Sequence, residues 1–306
     1  MKFSLPKIAT APFCPPEVSG SVPVDARAPF WKRALRFAGP GLLISIGYMD
    51  PGNWATAIEA GSRYGYSLLF VVLLASLAGM AVQCLCSRLG IATGRDLAQL
   101  CRERYSQRSA RFQWVLAEIS IIATDLAEVL GCALAFHLLL GCSLTFGIAL
   151  TAFDTLLILA LQGKGFRRLE AIMLALVMTI AACFFVELVL IKPYWPDVFE
   201  GFKPSLSAIS DAAPLYIAIG IIGATVMPHN LYLHSSIVQT RLTGRDYASK
   251  LDAVRQSRID TIGSLALALL VNAAILILAA AAFHQTGNSD VVEIQDAYRM
   301  LDPLVG

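Results

Sequence analysis

The sequence predicts an all-α integral membrane protein whose first and sixth membrane-spanning helices are discontinuous. The 306 residues are 57% hydrophobic and 15% charged, whereas soluble domains carry about 25% charged residues. Several apolar runs exceed the roughly 20 residues that a helix needs to cross the hydrocarbon core of a bilayer. Two of these runs have a proline near the middle, which interrupts a helix because proline has no backbone donor.

The apolar runs and the turn-forming residues between them predict seven spans. These are 38–60, 68–90, 113–140, 143–162, 169–191, 213–239 and 259–283. They divide the chain into a loosely ordered tail (1–36), a transmembrane domain (37–283) and an external segment (284–306). Most of the 24 Lys and Arg residues fall in alternate connecting segments. The positive-inside rule therefore predicts a cytoplasmic N-terminus and an external C-terminus.

Composition also argues against several classes of function. The net charge is only +2 and no basic stripe lies outside the loops, so we expect no nucleic-acid partner. The seven cysteines are scattered, which is typical of small buried hydrophobic residues rather than of a disulfide framework. No HExxH or GxSxG motif occurs, which disfavours an enzyme. We predict neither a cofactor nor an obligate protein partner.

The break in the first span carries an ionisable residue. Asp50 stands directly before a proline and a glycine, Pro51 and Gly52, and Asn53 follows them. A charge at this depth costs several kcal/mol unless it is solvated, paired or bound to an ion. A proline kink with a protonated, internally paired aspartate is one interpretation. The four residue types together favour an unwound turn that binds a ligand.

The sixth span repeats this arrangement at Pro228, which is flanked by Met227 and His229. Breaks five helices apart are expected if spans 1–5 and 6–10 form inverted repeats, in which paired broken helices build an ion site at the bilayer midplane. Irregular backbone is tolerated at that depth only where protein or a cavity satisfies its polar groups.

The chemistry of the predicted ligands indicates which ion is bound. Asp50 supplies an anionic oxygen, Asn53 a neutral oxygen and Met227 a soft sulfur, and the carbonyl of Ala224 is released by Pro228. A thioether is a poor partner for Mg²⁺ or Ca²⁺ but suits Mn²⁺, Fe²⁺ and softer ions. Taken alone, Met227 would be interpreted as a gap-filling core methionine; together with Asp50 and the two breaks, the role of a ligand is favoured.

Three carboxylates share one face of the third span. Glu118, Asp125 and Glu128 are separated by seven and three residues, so a helix aligns them. Because such groups cannot face lipid, we expect them to line the bundle interior or water and to exchange protons. A structural set of protonated, hydrogen-bonded acids is the alternative.

The remaining ionisable candidates lie outside the carboxylate stripe. His229 and His234 are five residues apart, so zinc ligation by both is disfavoured; a proton or gating role and a satisfied core histidine both stay open. Arg241 is interpreted as an anchor at the inner face of the membrane. Three further polar groups inside spans receive no role: Asp154, Glu187 and Asn272.

These motifs resemble those of the Nramp (natural resistance-associated macrophage protein) family of divalent-metal transporters, and in particular bacterial proton-dependent manganese transporters. The matching residues are Asp50-Pro51-Gly52-Asn53, Met227-Pro228-His229, Thr93-Gly94 and Asp125-Leu126-Ala127-Glu128, and the resemblance runs from about Phe37 to the end of the chain. It implies a LeuT-like inverted-repeat fold and proton-coupled uptake of Mn²⁺ or Fe²⁺ through the bacterial inner membrane.

The resemblance also implies roles for individual residues. Metal contacts would come from Asp50, Asn53, the Ala224 carbonyl and Met227. The proton pathway would include Asp50, Glu118, Asp125, Glu128, His229, His234 and Arg241, with Asp125 and Glu128 as the exit route. The partners are then the metal ion, protons and the lipid bilayer.

This sequence departs from the family pattern in its number of spans. The family has at least ten or eleven, so the chain is expected to be truncated after helix 7. Three other functions therefore stay open: a related Mg²⁺ transporter, a sodium-coupled carrier of organic solutes, and a non-transporting fragment that binds metal.

Overall fold

The computed structural model describes residues 20, 22–24, 28–162, 166–244 and 246–285. In chain order its α-helices are α1 (Phe30–Phe37), α2 (Pro40–Gly47), α3 (Pro51–Tyr64), α4 (Leu69–Thr93), α5 (Leu97–Arg104), α6 (Gln107–Leu140), α7 (Leu144–Gln162), α8 (Phe166–Ile191), α9 (Trp195–Gly201), α10 (Ala212–Thr225), α11 (Pro228–Ile237) and α12 (Tyr247–Ala279). Two short strands, β1 (Val22–Pro23) and β2 (Arg241–Leu242), pair in parallel. A π-helical turn, Ala280–His284, extends α12.

The two predicted helix breaks are confirmed. The first span is divided into α2 and α3, and the sixth into α10 and α11. The second helix of each pair begins with a proline, Pro51 or Pro228. Proline suits this position because its fixed φ matches the helix and its missing N–H would have no partner there. Each break is therefore followed directly by a proline that begins the next helix.

The predicted membrane class is also confirmed. Within the described part of the chain, five helical segments are long and apolar enough to cross a bilayer: Leu69–Thr93, Gln107–Leu140, Glu170–Ile191, Ala212–Thr240 and Tyr247–His284. The apolar part of α7, Leu144–Leu157, is shorter, and the first span is two short helices. Between α8 and α10, the predicted connection 192–212 contains α9 and a 3₁₀ turn.

The core forms where α12 packs along α2, α3 and α4. Small residues allow this close approach, as is common between membrane helices. A Cβ atom added to Gly61 of α3 would overlap the backbone of Leu276 in α12, and one added to Gly41 of α2 would lie 2.8 Å from the backbone of Asp260. Both halves of the broken first helix are therefore held against one long, continuous helix.

The prediction of a loosely ordered tail over 1–36 is wrong for the residues described there. Phe37, at the end of α1, is fully buried, and Arg33 forms an ion pair with Asp252 of α12 at 2.9 Å. The strand β1 pairs with β2, which follows the broken sixth helix. Long-range partners order this segment although its own sequence is polar and rich in proline. The rest of the tail (1–19, 21 and 25–27) and residues 286–306 lie outside the described residues.

Candidate metal-binding site

Asp50 caps the N-terminus of α3. One of its carboxylate oxygens accepts hydrogen bonds from the Asn53 backbone N–H at 3.1 Å and from the Asn53 side-chain amide at 2.5 Å. Aspartate is favoured at such a position because its oxygen replaces a missing helical acceptor and its charge meets the positive end of the helix dipole. The capping bond fixes the carboxylate at the first helix break.

The Asn53 side chain connects the two breaks. Its amide nitrogen donates to the Asp50 carboxylate and also, at 2.9 Å, to the backbone carbonyl of Ala224 at the end of α10. That carbonyl has no helical partner because the residue four positions later is Pro228. Two oxygens from different halves of the molecule therefore converge on one nitrogen. This is the environment in which a cation is stabilised by oxygen ligands.

Thr225 completes this arrangement and was missed by the sequence reasoning. Its hydroxyl lies 3.1 Å from the amide oxygen of Asn53 and 2.7 Å from the Ile221 carbonyl. Asn53 and Thr225 are both buried, so their hydrogen bonds define the orientation of the amide. In the sequence, the position of this threonine directly beside the second break was the feature that could have indicated its role.

Met227 occupies the short extended connection between α10 and α11. Its side chain is 4% exposed and packs in a cluster with Ile44, Tyr48 and Met80. Met49, which directly precedes Asp50, packs against the same cluster. The structure thus brings Met227 to the neighbourhood of the first break. Its contacts fit both interpretations of this residue, as a soft ligand and as a core methionine.

The three carboxylates of α6 line one cavity together with His229. This cavity has a volume of about 640 Å³ and lies between α5, α6 and α11. Glu118, Asp125 and Glu128 all border it. Glu118 accepts a hydrogen bond from the Trp114 indole at 2.8 Å. The three carboxylates therefore share one face of α6, as predicted, and border a common cavity.

A close contact joins this helix to the first break. A Cβ atom added to Gly131 of α6 would overlap the ring of Pro51. Glu128 is one turn before Gly131, so this contact fixes the end of the carboxylate stripe beside Asp50. Among the residues described, no cluster of three His, Cys, Asp or Glu side chains forms a metal site.

Gly131→Ala is expected to destabilise the protein by about 1–3 kcal/mol, because the added methyl group overpacks this contact. Gly263→Ala is the matched control: it also lies inside a helix, but nothing lies within 4 Å of its added Cβ. That substitution should stabilise the helix by about 0.5–1 kcal/mol. Unfolding in mixed micelles, followed by circular dichroism, measures both, and equal effects of the two variants would contradict the contact.

His234 is not brought to the cavity. It is fully buried, and its ring nitrogens face the Gln83 amide oxygen at 2.9 Å and the Thr261 hydroxyl at 3.5 Å. Gln83 in turn donates to the Tyr48 hydroxyl at 3.4 Å. The structure therefore separates the two histidines, and the contacts of His234 are those of a satisfied core histidine. The isolated glutamine in the apolar second span was the signal for this network.

Arg241 also lies away from the carboxylate stripe. Its guanidinium donates to Glu170 of α8 at 2.7 Å and to the carbonyls of Phe37 and Ala38 at 2.9 and 2.7 Å. Burial lowers the pKa of Arg241, and the charge of Glu170 opposes that shift. These contacts match the anchor predicted from the residues and differ from those of a member of the proton network.

A family model described as "Natural resistance-associated macrophage protein-like" matches residues 41–306. This chain belongs to the Nramp family. Similar Nramp proteins include the divalent metal cation transporter MntH 1 of Pseudomonas aeruginosa, 72% identical over 306 residues, and the divalent metal cation transporter MntH of Ralstonia nicotianae, 66% identical over 303 residues. The matches cover 100% and 99% of this chain and 70% and 69% of these relatives.

Solved Nramp structures match the fold as well. A crystal structure of a mutant Eremococcus coleocola manganese transporter superposes with a TM-score of 0.85 at 38% identity, and covers 92% of this chain. A structure of that transporter in complex with an aromatic bis-isothiourea substituted compound gives a TM-score of 0.81 at 39% identity. This Nramp chain therefore has the LeuT-like fold, and it spans 58% and 56% of those two solved chains.

Proposed function

We propose that this chain binds Mn²⁺ or Fe²⁺ between its two helix breaks, as part of a proton-coupled importer of divalent transition-metal ions. The observation that carries the proposal is the position of the Asn53 amide between the Asp50 carboxylate and the Ala224 carbonyl. A donor group bridges two oxygens that a divalent cation would bridge more strongly. The family is one of metal-ion transporters in membranes rather than of enzymes.

The selection among ions rests on the mixed character of the proposed ligands. The Asp50 carboxylate and the Ala224 carbonyl are hard oxygen donors, and a half-turn of the Asn53 amide would exchange its contact with Thr225 for a third oxygen facing the ion. The thioether of Met227 is soft. Mg²⁺ and Ca²⁺ prefer oxygen, so sulfur favours a transition-metal ion over both. Relatives are named divalent metal cation transporters, and the matching structures are of a manganese transporter.

Proton coupling is proposed to use the cavity beside α6. Binding of a divalent cation at Asp50 disfavours protonation of that carboxylate. The released proton has nearby acceptors in Glu128 and Asp125, because Gly131 packs against Pro51 and both acids line the cavity with His229. The distribution of Lys and Arg between connecting segments supports a cytoplasmic N-terminus in the plasma membrane. The inward direction of transport is proposed from the resemblance to the family.

Proteoliposome uptake tests the whole proposal. Purified chain should accumulate Mn²⁺ faster under an inward proton gradient, and Glu128→Gln should remove most of this acceleration because it has one proton acceptor fewer beside Asp50. Asp154→Asn, which removes a carboxylate from α7, is the control and should retain it. Uptake driven by sodium and an organic solute would favour the carrier alternative. Mn²⁺ binding without uptake would identify a non-transporting protein.

Met227→Ala tests the role of sulfur separately. We expect weaker binding of Cd²⁺ and Mn²⁺ and at least about tenfold less discrimination against Mg²⁺ and Ca²⁺, since the remaining ligands are all oxygen. Calorimetric titration with each ion measures this difference. Met80→Ala removes a methionine from the same buried cluster and serves as the control. If both variants lose discrimination equally, Met227 is a core residue only.

A further inference from the structure

A cleft between α1 and the start of α12 has no part in the proposed metal pathway. Its outer section has a volume of about 500 Å³ and is lined by Lys32, Arg33 and Arg36. Its inner section, about 200 Å³, shares Arg33 with the outer one and extends to Gln256. The cleft is therefore basic at its mouth and reaches a buried amide at its inner end.

Gln256 is an unusual residue for such a position. It is 1% exposed, yet neither its amide oxygen nor its amide nitrogen has a hydrogen-bond partner in the described protein. An unpartnered buried amide is destabilising because it loses its hydrogen bonds to water, and a cavity of this size can hold a polar group that replaces them. Gln256 therefore indicates a ligand with both donor and acceptor capacity, such as a hydroxyl group.

The outer face of α1 has the features of a helix that lies on a bilayer surface. Trp31 and Leu35 are 79% and 72% exposed and lie one turn apart, so they form an apolar strip. Lys32 and Arg36 form a parallel basic strip beside it, and neither takes part in an ion pair among the residues described. A short helix with adjacent apolar and basic strips lies in the interface of a bilayer. Further positive charge is supplied by Arg255, which lies 5.3 Å from the Phe30 ring.

We propose that this cleft binds the headgroup of an anionic phospholipid that carries a hydroxylated headgroup, of the phosphatidylglycerol type. Lys32 and Arg36 contact the phosphate, Gln256 receives a headgroup hydroxyl, and Trp31 and Leu35 contact the acyl chains. Arg33 remains paired with Asp252 and forms the wall between the two sections. This inference concerns lipid binding alone and does not depend on metal transport.

Native mass spectrometry of the purified chain in detergent with added lipid tests the proposal. Phosphatidylglycerol should bind roughly 30-fold more tightly than phosphatidylcholine, since Lys32 and Arg36 near an anionic lipid contribute about 1 kcal/mol each and about 1.4 kcal/mol is a tenfold change in affinity. The double variant Lys32→Gln, Arg36→Gln should lose this preference. The double variant Arg104→Gln, Arg108→Gln removes the same charge from exposed positions on α5 and α6 and should keep it.

Equal binding of the two lipids by the unmodified chain, or equal losses in the two double variants, would overturn the site. Displacement of phosphatidylglycerol by soluble glycerol phosphate would identify a site for free anions and would also overturn it. The unmodified chain should also prefer phosphatidylglycerol to phosphatidylmethanol, an equally charged lipid without headgroup hydroxyls. Gln256→Leu should remove this second preference while leaving the melting temperature in lipid-free detergent unchanged or higher. If Gln256→Leu kept this preference, Gln256 would not bind the headgroup hydroxyl.

Discussion

Asp50→Asn is expected to weaken Mn²⁺ binding by at least about 100-fold, because loss of a residue that merely orients a metal ligand already costs 10- to 100-fold. The substitution preserves the shape of the side chain and its capping oxygen, and asparagine is as good an N-cap as aspartate. It removes the negative charge that offsets dehydration of the cation and replaces one carboxylate oxygen with an amide nitrogen that cannot bind the ion. Calorimetric titration of Mn²⁺ into the purified variant measures the effect.

The control for this experiment is Asp154→Asn, which removes a half-buried carboxylate from α7 without touching either helix break. It should bind Mn²⁺ as the unmodified chain does. Circular dichroism should show the same helix content in both variants, so that a binding loss cannot be attributed to unfolding. Wild-type affinity in Asp50→Asn would remove this carboxylate from the site.

The sequence was sufficient to predict both breaks because their causes are local. A proline inside an apolar run ends a helix wherever that run is placed, so Pro51 and Pro228 could be interpreted without any tertiary information. The convergence of the breaks followed from their spacing along the chain. The face shared by the α6 carboxylates followed equally from helical periodicity alone.

Features that depend on partners distant in sequence could not be predicted. The bridge from Asn53 to Ala224 joins residues 171 positions apart, and the pair between Arg241 and Glu170 spans 71 positions. The sequence around each of these residues does not identify the distant residue that it contacts. The ordering of α1 has the same origin, since its basic residues resemble part of a free tail until Asp252 and the buried site of Phe37 are known.

These distant contacts share one consequence for the broken first helix. Asp260 of α12 accepts hydrogen bonds from the backbone of Gly39 and Gly41 at 3.2 and 2.7 Å, at the start of α2. Asn272 of the same helix donates to the Tyr48 carbonyl at 2.8 Å, at its end. One helix thus satisfies the backbone at both ends of α2. The position of Asp50 is determined by α12 as much as by its own turn.

The ion pair between Arg241 and Glu170 supplies a second test with a large effect. Both side chains are almost completely buried, at 0% and 4% exposure. Arg241→Met leaves Glu170 with only the half-exposed Arg167, 2.9 Å away, and leaves the Phe37 and Ala38 carbonyls without this donor. We expect a loss of about 3 kcal/mol in the free energy of unfolding, because removing one partner leaves a buried charge uncompensated.

The double variant Arg241→Met, Glu170→Met should recover most of that loss, since two apolar side chains of similar volume avoid desolvating either charge. Arg63→Met is the control: its pair with Glu59 is 37% and 22% exposed, and such pairs contribute about 1 kcal/mol or less. Denaturant unfolding in mixed micelles, followed by circular dichroism, provides all three values. If Arg241→Met cost no more than Arg63→Met, or if the second methionine deepened the loss, the junction of α1 and α2 would depend on its backbone packing and not on this buried charge pair.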